Sequence, residues 1–164
     1  METAIAEHIF TSGPALALLG ASFAACFGAV GSALGLLAVG KASSGVASER
    51  PELSGKLILL MALPGSQVVY GLLAAFMVTV FFKDIENMTS VQGVSVFLAA
   101  LPVSIAGLIS GIAQGKVAAY GTQVVAKDEN NLGKAIIYAA IVETVAIFGL
   151  LVSILLFQFL SATA

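Results

Sequence analysis

Charged residues are sparse along this chain, and the intervals between them are apolar. None occurs between His8 and Lys41, between Lys56 and Lys83, or between Glu86 and Lys116. After Lys134 only Glu143 interrupts an apolar run to the end. Each interval exceeds the roughly 20 apolar residues with which a helix crosses about 30 Å of hydrocarbon. Without water the backbone must satisfy itself in helices or in a closed barrel, and continuous rather than alternating apolar runs select helices. Four spans are predicted, at 14–40, 57–82, 91–125 and 135–160. The third is drawn past Lys116 because nothing breaks the helix before Asp128-Glu129-Asn130-Asn131.

Composition agrees with the pattern. Of the 164 residues, 59% are hydrophobic and only 10% charged, against about 25% charged in soluble domains. Mean hydropathy is +1.06. A soluble domain and a disordered chain are both excluded. The net charge of -2 and the absence of Trp give no footprint for nucleic acid. Cys26, the single cysteine, permits neither an internal disulfide nor a cysteine metal cluster, and it is expected to pack as a small apolar residue. The opening METAIAEHIF has Glu2 and Glu7 but no basic residue, unlike the charged start of a signal peptide. His8 is assigned no role.

The basic residues orient the spans. Lys41, Arg50, Lys56, Lys116, Lys127 and Lys134 lie in or beside the connections after the first and third spans, whereas Lys83 alone lies on the other side. By the positive-inside rule, the loops at 48–55 and 127–133 face the cytoplasm. Both termini and the connection at 83–90 face out.

The chain also repeats itself. GSALGLLAVGK from Gly31 aligns with GIAQGKVAAYG from Gly111 at an offset of 80, and GKLILL from Gly55 with GKAIIY from Gly133 at 78. The unit is a helical hairpin occurring twice in the same orientation, with residues 1–86 as the first and 87–164 as the second. Odd-numbered spans carry glycine stripes, Gly28, Gly31 and Gly35 in one and Gly107, Gly111 and Gly115 in the other. Each helical glycine costs roughly 1 kcal/mol relative to alanine, a loss that close approach of helices in lipid offsets. Packing within one chain is one way to use the stripes. A crowded ring of odd helices from several copies is the preferred one, because both hairpins present the same face. GLLAVGKA from Gly35 has phosphate-loop spacing, but Ala42 replaces the magnesium-binding hydroxyl and the segment ends a membrane helix; no nucleotide site is assigned.

Glu143 is the one charge inside the bilayer, the last turns of the third span projecting from it. An ionised side chain there costs about 2.5–3.5 kcal/mol or more, so it marks an ion or proton carrier by default. Counting outward from a turn at 129–130, Gln114 and Glu143 reach nearly the same depth in an antiparallel hairpin. The repeat places Gly65 opposite Glu143 and Ser66 opposite Thr144, with Gln67 within a turn of that layer. Pro64 perturbs the preceding turn and frees carbonyl oxygens. Tyr70, one turn beyond Gln67, can donate its hydroxyl to the carboxylate. A carboxylate, two amide oxygens, a hydroxyl and a carbonyl make an all-oxygen site with one negative charge. Hard cations favour oxygen, and by analogy this suits Na+; a proton carrier needs only the carboxyl and an acceptor.

LPGSQVVYG, SGIAQGKVAAYG and IVETVAIFG, in the second, third and fourth spans, closely resemble the proteolipid K subunit of bacterial V-type ATPases, a duplicated c-type rotor subunit, above all its sodium-translocating members. The resemblance covers essentially the whole chain. It implies an all-α membrane protein of four transmembrane helices in two tandem hairpins, assembled as a homo-oligomeric ring in the cell membrane. It further implies Glu143 as the essential carboxylate, with Gln114, Gln67, Ser66 and the carbonyl of Leu63 as the remaining Na+ ligands and Tyr70 as a supporting hydrogen-bond partner. Ser66 stands where a sodium-binding relative has threonine. The partners implied are an a-type stator subunit bearing an arginine, central-stalk subunits at the cytoplasmic loops, and membrane lipid. No catalytic chemistry belongs to the chain itself. A proton-carrying rotor and a stand-alone four-helix transporter are the alternatives.

Overall fold

The computed structural model describes residues 11–163, so Glu2, Glu7 and His8 lie outside the described residues. Helix α1 runs Gly13–Glu49, α2 Ser54–Ala62, α3 Ser66–Phe81, α4 Ser90–Lys127 and α5 Leu132–Thr163. The first, third and fourth of the predicted spans are α1, α4 and α5, each continuing beyond the predicted bounds. α1 persists nine residues past Gly40, because nothing in KASSGVASE forbids a helix until Arg50 and Pro51. At 37 and 38 residues, α1 and α4 are about 55 Å long and exceed the hydrocarbon thickness. The second span is α2 and α3 joined by a 3-10 turn at Leu63–Gly65. Pro64 has no N–H for the Leu60 carbonyl, and the amide of Ser66 bonds instead to the carbonyl of Leu63. The stretch from Gly35 to Ala42 is continuous helix, not a loop.

The two longest helices, α1 and α4, start from local signals. Ser12 caps α1, with Pro14 in its first turn. Thr89 and Gln92 form a reciprocal capping box at the start of α4. Pro102 inside α4 is accommodated by α5: the Ser153 hydroxyl accepts from the amide of Val103 at 3.1 Å. A Cβ on Gly149 would come within 2.8 Å of the Pro102 carbonyl oxygen.

The two glycine stripes meet each other within the chain. A Cβ on Gly31 would lie 2.6 Å from the carbonyl oxygen of Gly107, and one on Gly111 2.6 Å from the carbonyl carbon of Gly31. Gly35 and Gly115 likewise leave no room for a side chain between them. These pairings rise together in number, so α1 and α4 are parallel, side by side, with backbones in contact. Within the chain the two stripes therefore face one another. Cys26 departs from its expected packing. It is exposed, because it lies two positions before Gly28 and so on the opposite side of α1.

Two buried apolar clusters divide the bundle along its length. One, towards the 83–90 connection, is built from Ala17, Ala24, Ala74, Val78, Val103 and Phe157, among others. The second, towards the other end, gathers Val39, Leu57, Leu60, Ala118, Val125 and Ala139. Between them lies a polar layer with Gln67 and Gln114, both fully buried. Outward faces remain apolar, with Phe76, Tyr138, Ile141, Phe148 and Phe159 all exposed. Less than half of each span's most apolar window is buried within the chain, which leaves the rest for lipid or further copies.

The two turns at the second end are tied together. Arg50 donates to the carbonyl of Ala126 at 2.5 Å and pairs with Glu52 at 2.9 Å, while Lys56 pairs with Glu129 at 2.7 Å. A backbone hydrogen bond, aided by Arg50, holds the exposed Glu52 carboxyl below its ordinary range. Its small contribution is therefore present above the ordinary Glu pKa and fades only as pH falls through the lowered one.

Candidate functional site

Helices α3, α4 and α5 bring the polar layer together. Gln67 is the second residue of α3, just after the Leu63–Gly65 turn. Gln114 lies on α4 between Gly111 and Gly115, and Glu143 lies mid-way along α5. The Gln67 amide nitrogen donates to Oε1 of Gln114 at 2.7 Å, and the Gln114 amide nitrogen reaches Oε2 of Glu143 at 3.4 Å. From the other side, the Tyr70 hydroxyl donates to Oε1 of Glu143 at 2.5 Å. Four of the sequence-predicted residues thus form one hydrogen-bonded chain that crosses from the first hairpin to the second.

Ser66 meets this chain at Tyr70, with which it shares a side-chain hydrogen bond, and Leu63 stands beside it. The Ser66 hydroxyl donates to the Leu63 carbonyl at 3.4 Å, which brings those two oxygens next to each other. Thr144, the repeat counterpart of Ser66, is exposed and bonds back to Ile141. Gly65, opposite Glu143 in the repeat, has nothing within 4 Å of where a Cβ would be.

One polar atom in this layer has no partner. Oε1 of Gln67 is buried and accepts no hydrogen bond, a costly state for an amide oxygen. It is an open acceptor in the same hydrogen-bonded layer as a carboxylate, the kind of atom a cation satisfies. No group of three or more His, Cys, Asp or Glu side chains occurs among the described residues. This layer therefore lacks the ligand charge of a polyvalent metal centre; its donors are neutral oxygens around one acid.

Sequence reasoning missed the residues behind the layer. Gly28 of α1 abuts the backbone of Gln67, and Gly35 abuts both Pro64 and the carbonyl of Gly111. Ser32 and Ser110 are buried with hydroxyls that make no hydrogen bond, unlike Ser104 and Thr122, which bond back to their own helix. The glycines were visible as a stripe, but a stripe does not say what it touches.

Fold and site together define a duplicated membrane proteolipid, four helices in two hairpins with a single carboxyl at depth. The family model for the C subunit of ATP synthase matches the chain twice, over residues 19–78 and 97–156. The chain is 42% identical to the V-type sodium ATPase subunit K of Enterococcus hirae, covering 88% of this chain and 91% of that one. It is 38% identical to the A-type ATP synthase subunit K of Methanocaldococcus jannaschii, covering 86% of this chain and 61% of the relative. It is 30% identical to the 16 kDa proteolipid of the V-type proton ATPase of Nephrops norvegicus, with 88% and 91% covered. The chain belongs to the family of the ATP synthase C subunit. It is a duplicated c-type proteolipid, an ion-translocating membrane subunit with no catalysis of its own.

Proposed function

We propose that this chain is the rotor-ring subunit of a V-type ATPase and that it carries Na+ across the membrane on Glu143. The observation that carries the reading is the buried, unpartnered Oε1 of Gln67 in the same hydrogen-bonded layer as the only carboxylate within the spans. On this reading residues 1–86 are a hairpin without an ion carboxylate, and residues 87–164 the hairpin that bears it.

Glu143, Gln114, Gln67, Ser66 and the Leu63 carbonyl are the proposed ligands. Gln114 Oε1 is engaged by the Gln67 amide, so a cation entering the layer replaces that one bond with two amide-oxygen contacts. Tyr70 keeps its bond to Oε1 and leaves Oε2 to turn towards the ion. Carboxylate and Na+ together are neutral, which removes the cost of a net charge at depth and lets the loaded protomer face lipid. A proton would neutralise Glu143 equally well but would leave two buried amides with no ion to serve.

In the ring, a stator arginine draws the carboxylate away from its ligands and releases the ion. The soluble head turns the stalk, which contacts the loops at 48–55 and 127–133 on the cytoplasmic side; both termini face out. Each charge moved takes about 2.3 kcal/mol per 100 mV, so the protomer number sets the gearing between ions and ATP. Reversal would synthesise ATP.

The test is ATP-driven uptake of radioactive sodium by the holoenzyme in proteoliposomes. Uptake that persists or rises with a protonophore, and disappears with Glu143→Gln, supports the reading. Uptake of protons alone, with no sodium accumulated, contradicts it.

A further inference from the structure

Resting on the sodium reading above, we infer that Gly28 is a positioning residue for the ion layer: by lacking a side chain, it fixes where α3 holds Gln67. α1 supplies no side chain to the hydrogen-bonded layer, yet it touches the segment that does. A Cβ on Gly28 would overlap the Gln67 carbonyl oxygen and lie 3.2 Å from its carbonyl carbon. One turn along, a Cβ on Gly71 would overlap the Ala24 carbonyl and lie 3.2 Å from the Cα of Ala25. The two glycines therefore let α1 and α3 meet backbone to backbone directly behind Gln67. Neither obstacle is the movable end of a side chain. Any added atom must shift one helix, and the Leu63–Gly65 turn makes the start of α3 the place where the pair can give.

The consequence falls on Gln67. Its side chain is fully buried and spans from α3 to Gln114 at 2.7 Å, so its amide has little room to compensate for a moving backbone. Glu143, Tyr70 and Gln114 are held by bonds among themselves, none of which involves α1. A substitution at Gly28 thus acts first on Gln67, whose own backbone it meets, while Gln114 and Glu143 are carried by α4 and α5.

The test uses intact rings purified from the holoenzyme, comparing wild type, Gly28→Ala and Gly20→Ala for sodium binding at equilibrium. Gly20 belongs to the same helix and faces the Cα of Phe97, 2.7 Å from an added Cβ, but it lies about 12 Å from Gly28 along the axis. Gly28→Ala is expected to raise the sodium Kd by about tenfold, the scale of one weakened contact to an ion, with the number of sites per ring unchanged. Gly20→Ala is expected to leave Kd unchanged. An unchanged Kd for Gly28→Ala, or an equal rise for Gly20→Ala, overturns the inference. If Gly28→Ala does not assemble, Gly71→Ala decides by the same comparison; if neither assembles, the contact serves the fold and the inference falls. Should wild-type rings bind no sodium, the sodium reading fails. A density map of the Gly28→Ala ring then decides: Gln67 displaced from Gln114 upholds the positioning role, and Gln67 unmoved refutes it.

Discussion

The Tyr70 hydroxyl on α3 and Oε1 of Glu143 on α5 are joined across 2.5 Å, so a residue of the first hairpin holds the single acid of the second. Both side chains are only partly buried, which places this bond at the outer edge of the layer, while Gln67 and Gln114 lie inside it. Tyr70→Phe keeps the ring and removes the donor. Hydrogen bonds to a charged group contribute about 1.5–3 kcal/mol, so sodium affinity is expected to fall by about ten- to a hundredfold with ring assembly intact. The sodium concentration giving half-maximal ATPase activity of the holoenzyme reads this directly.

Ser66 tests the edge of the proposed ligand set. Its hydroxyl is oriented by a 3.4 Å bond to Leu63 and by Tyr70, and the β-branched methyl of threonine would restrict its rotamers further. Ser66→Thr is expected to bind sodium as tightly as wild type or more tightly. Ser66→Ala should weaken binding by about three- to tenfold, the range for one neutral hydrogen-bonding group. Equal affinities for all three would remove Ser66 from the site.

The glycines separate into two classes by what surrounds them. A Cβ on Gly115 would run into the backbone of Gly35, whereas Gly45, also helical, has nothing within 4 Å. Gly115→Ala is expected to destabilise the protomer by about 1–3 kcal/mol or more, as overpacking does. Gly45→Ala should stabilise α1 by up to about 1 kcal/mol through helix propensity alone. Thermal unfolding of the purified proteins in detergent compares them.

Much of this was legible in the sequence, and the exceptions have physical causes. The spans followed from the spacing of charges, and the shared depth of Gln114 and Glu143 followed from counting outward from a turn. That count works in the second hairpin because one 3-10 turn, Glu129–Asn131, separates two uninterrupted helices. In the first hairpin Gln67 lies against Gly28, which is farther from the turn in residues than Gln67 is. The second span is interrupted by the 3-10 turn at Leu63–Gly65. Pro64 signalled a perturbed turn, not its effect on register. The bond from Arg50 to Ala126 joins residues 76 apart, and no local pattern announces it.

Labelling of Glu143 by a carboxyl-reactive carbodiimide, across pH and sodium concentration, tests the central claim most directly. The reagent needs the protonated acid, whereas sodium takes the ionised one, so the two cations compete for a single group. Sodium is predicted to protect Glu143 at fixed pH, and the sodium needed for half-protection should rise as protons compete more strongly for the acid. Labelling that follows pH alone and is indifferent to sodium would contradict the account.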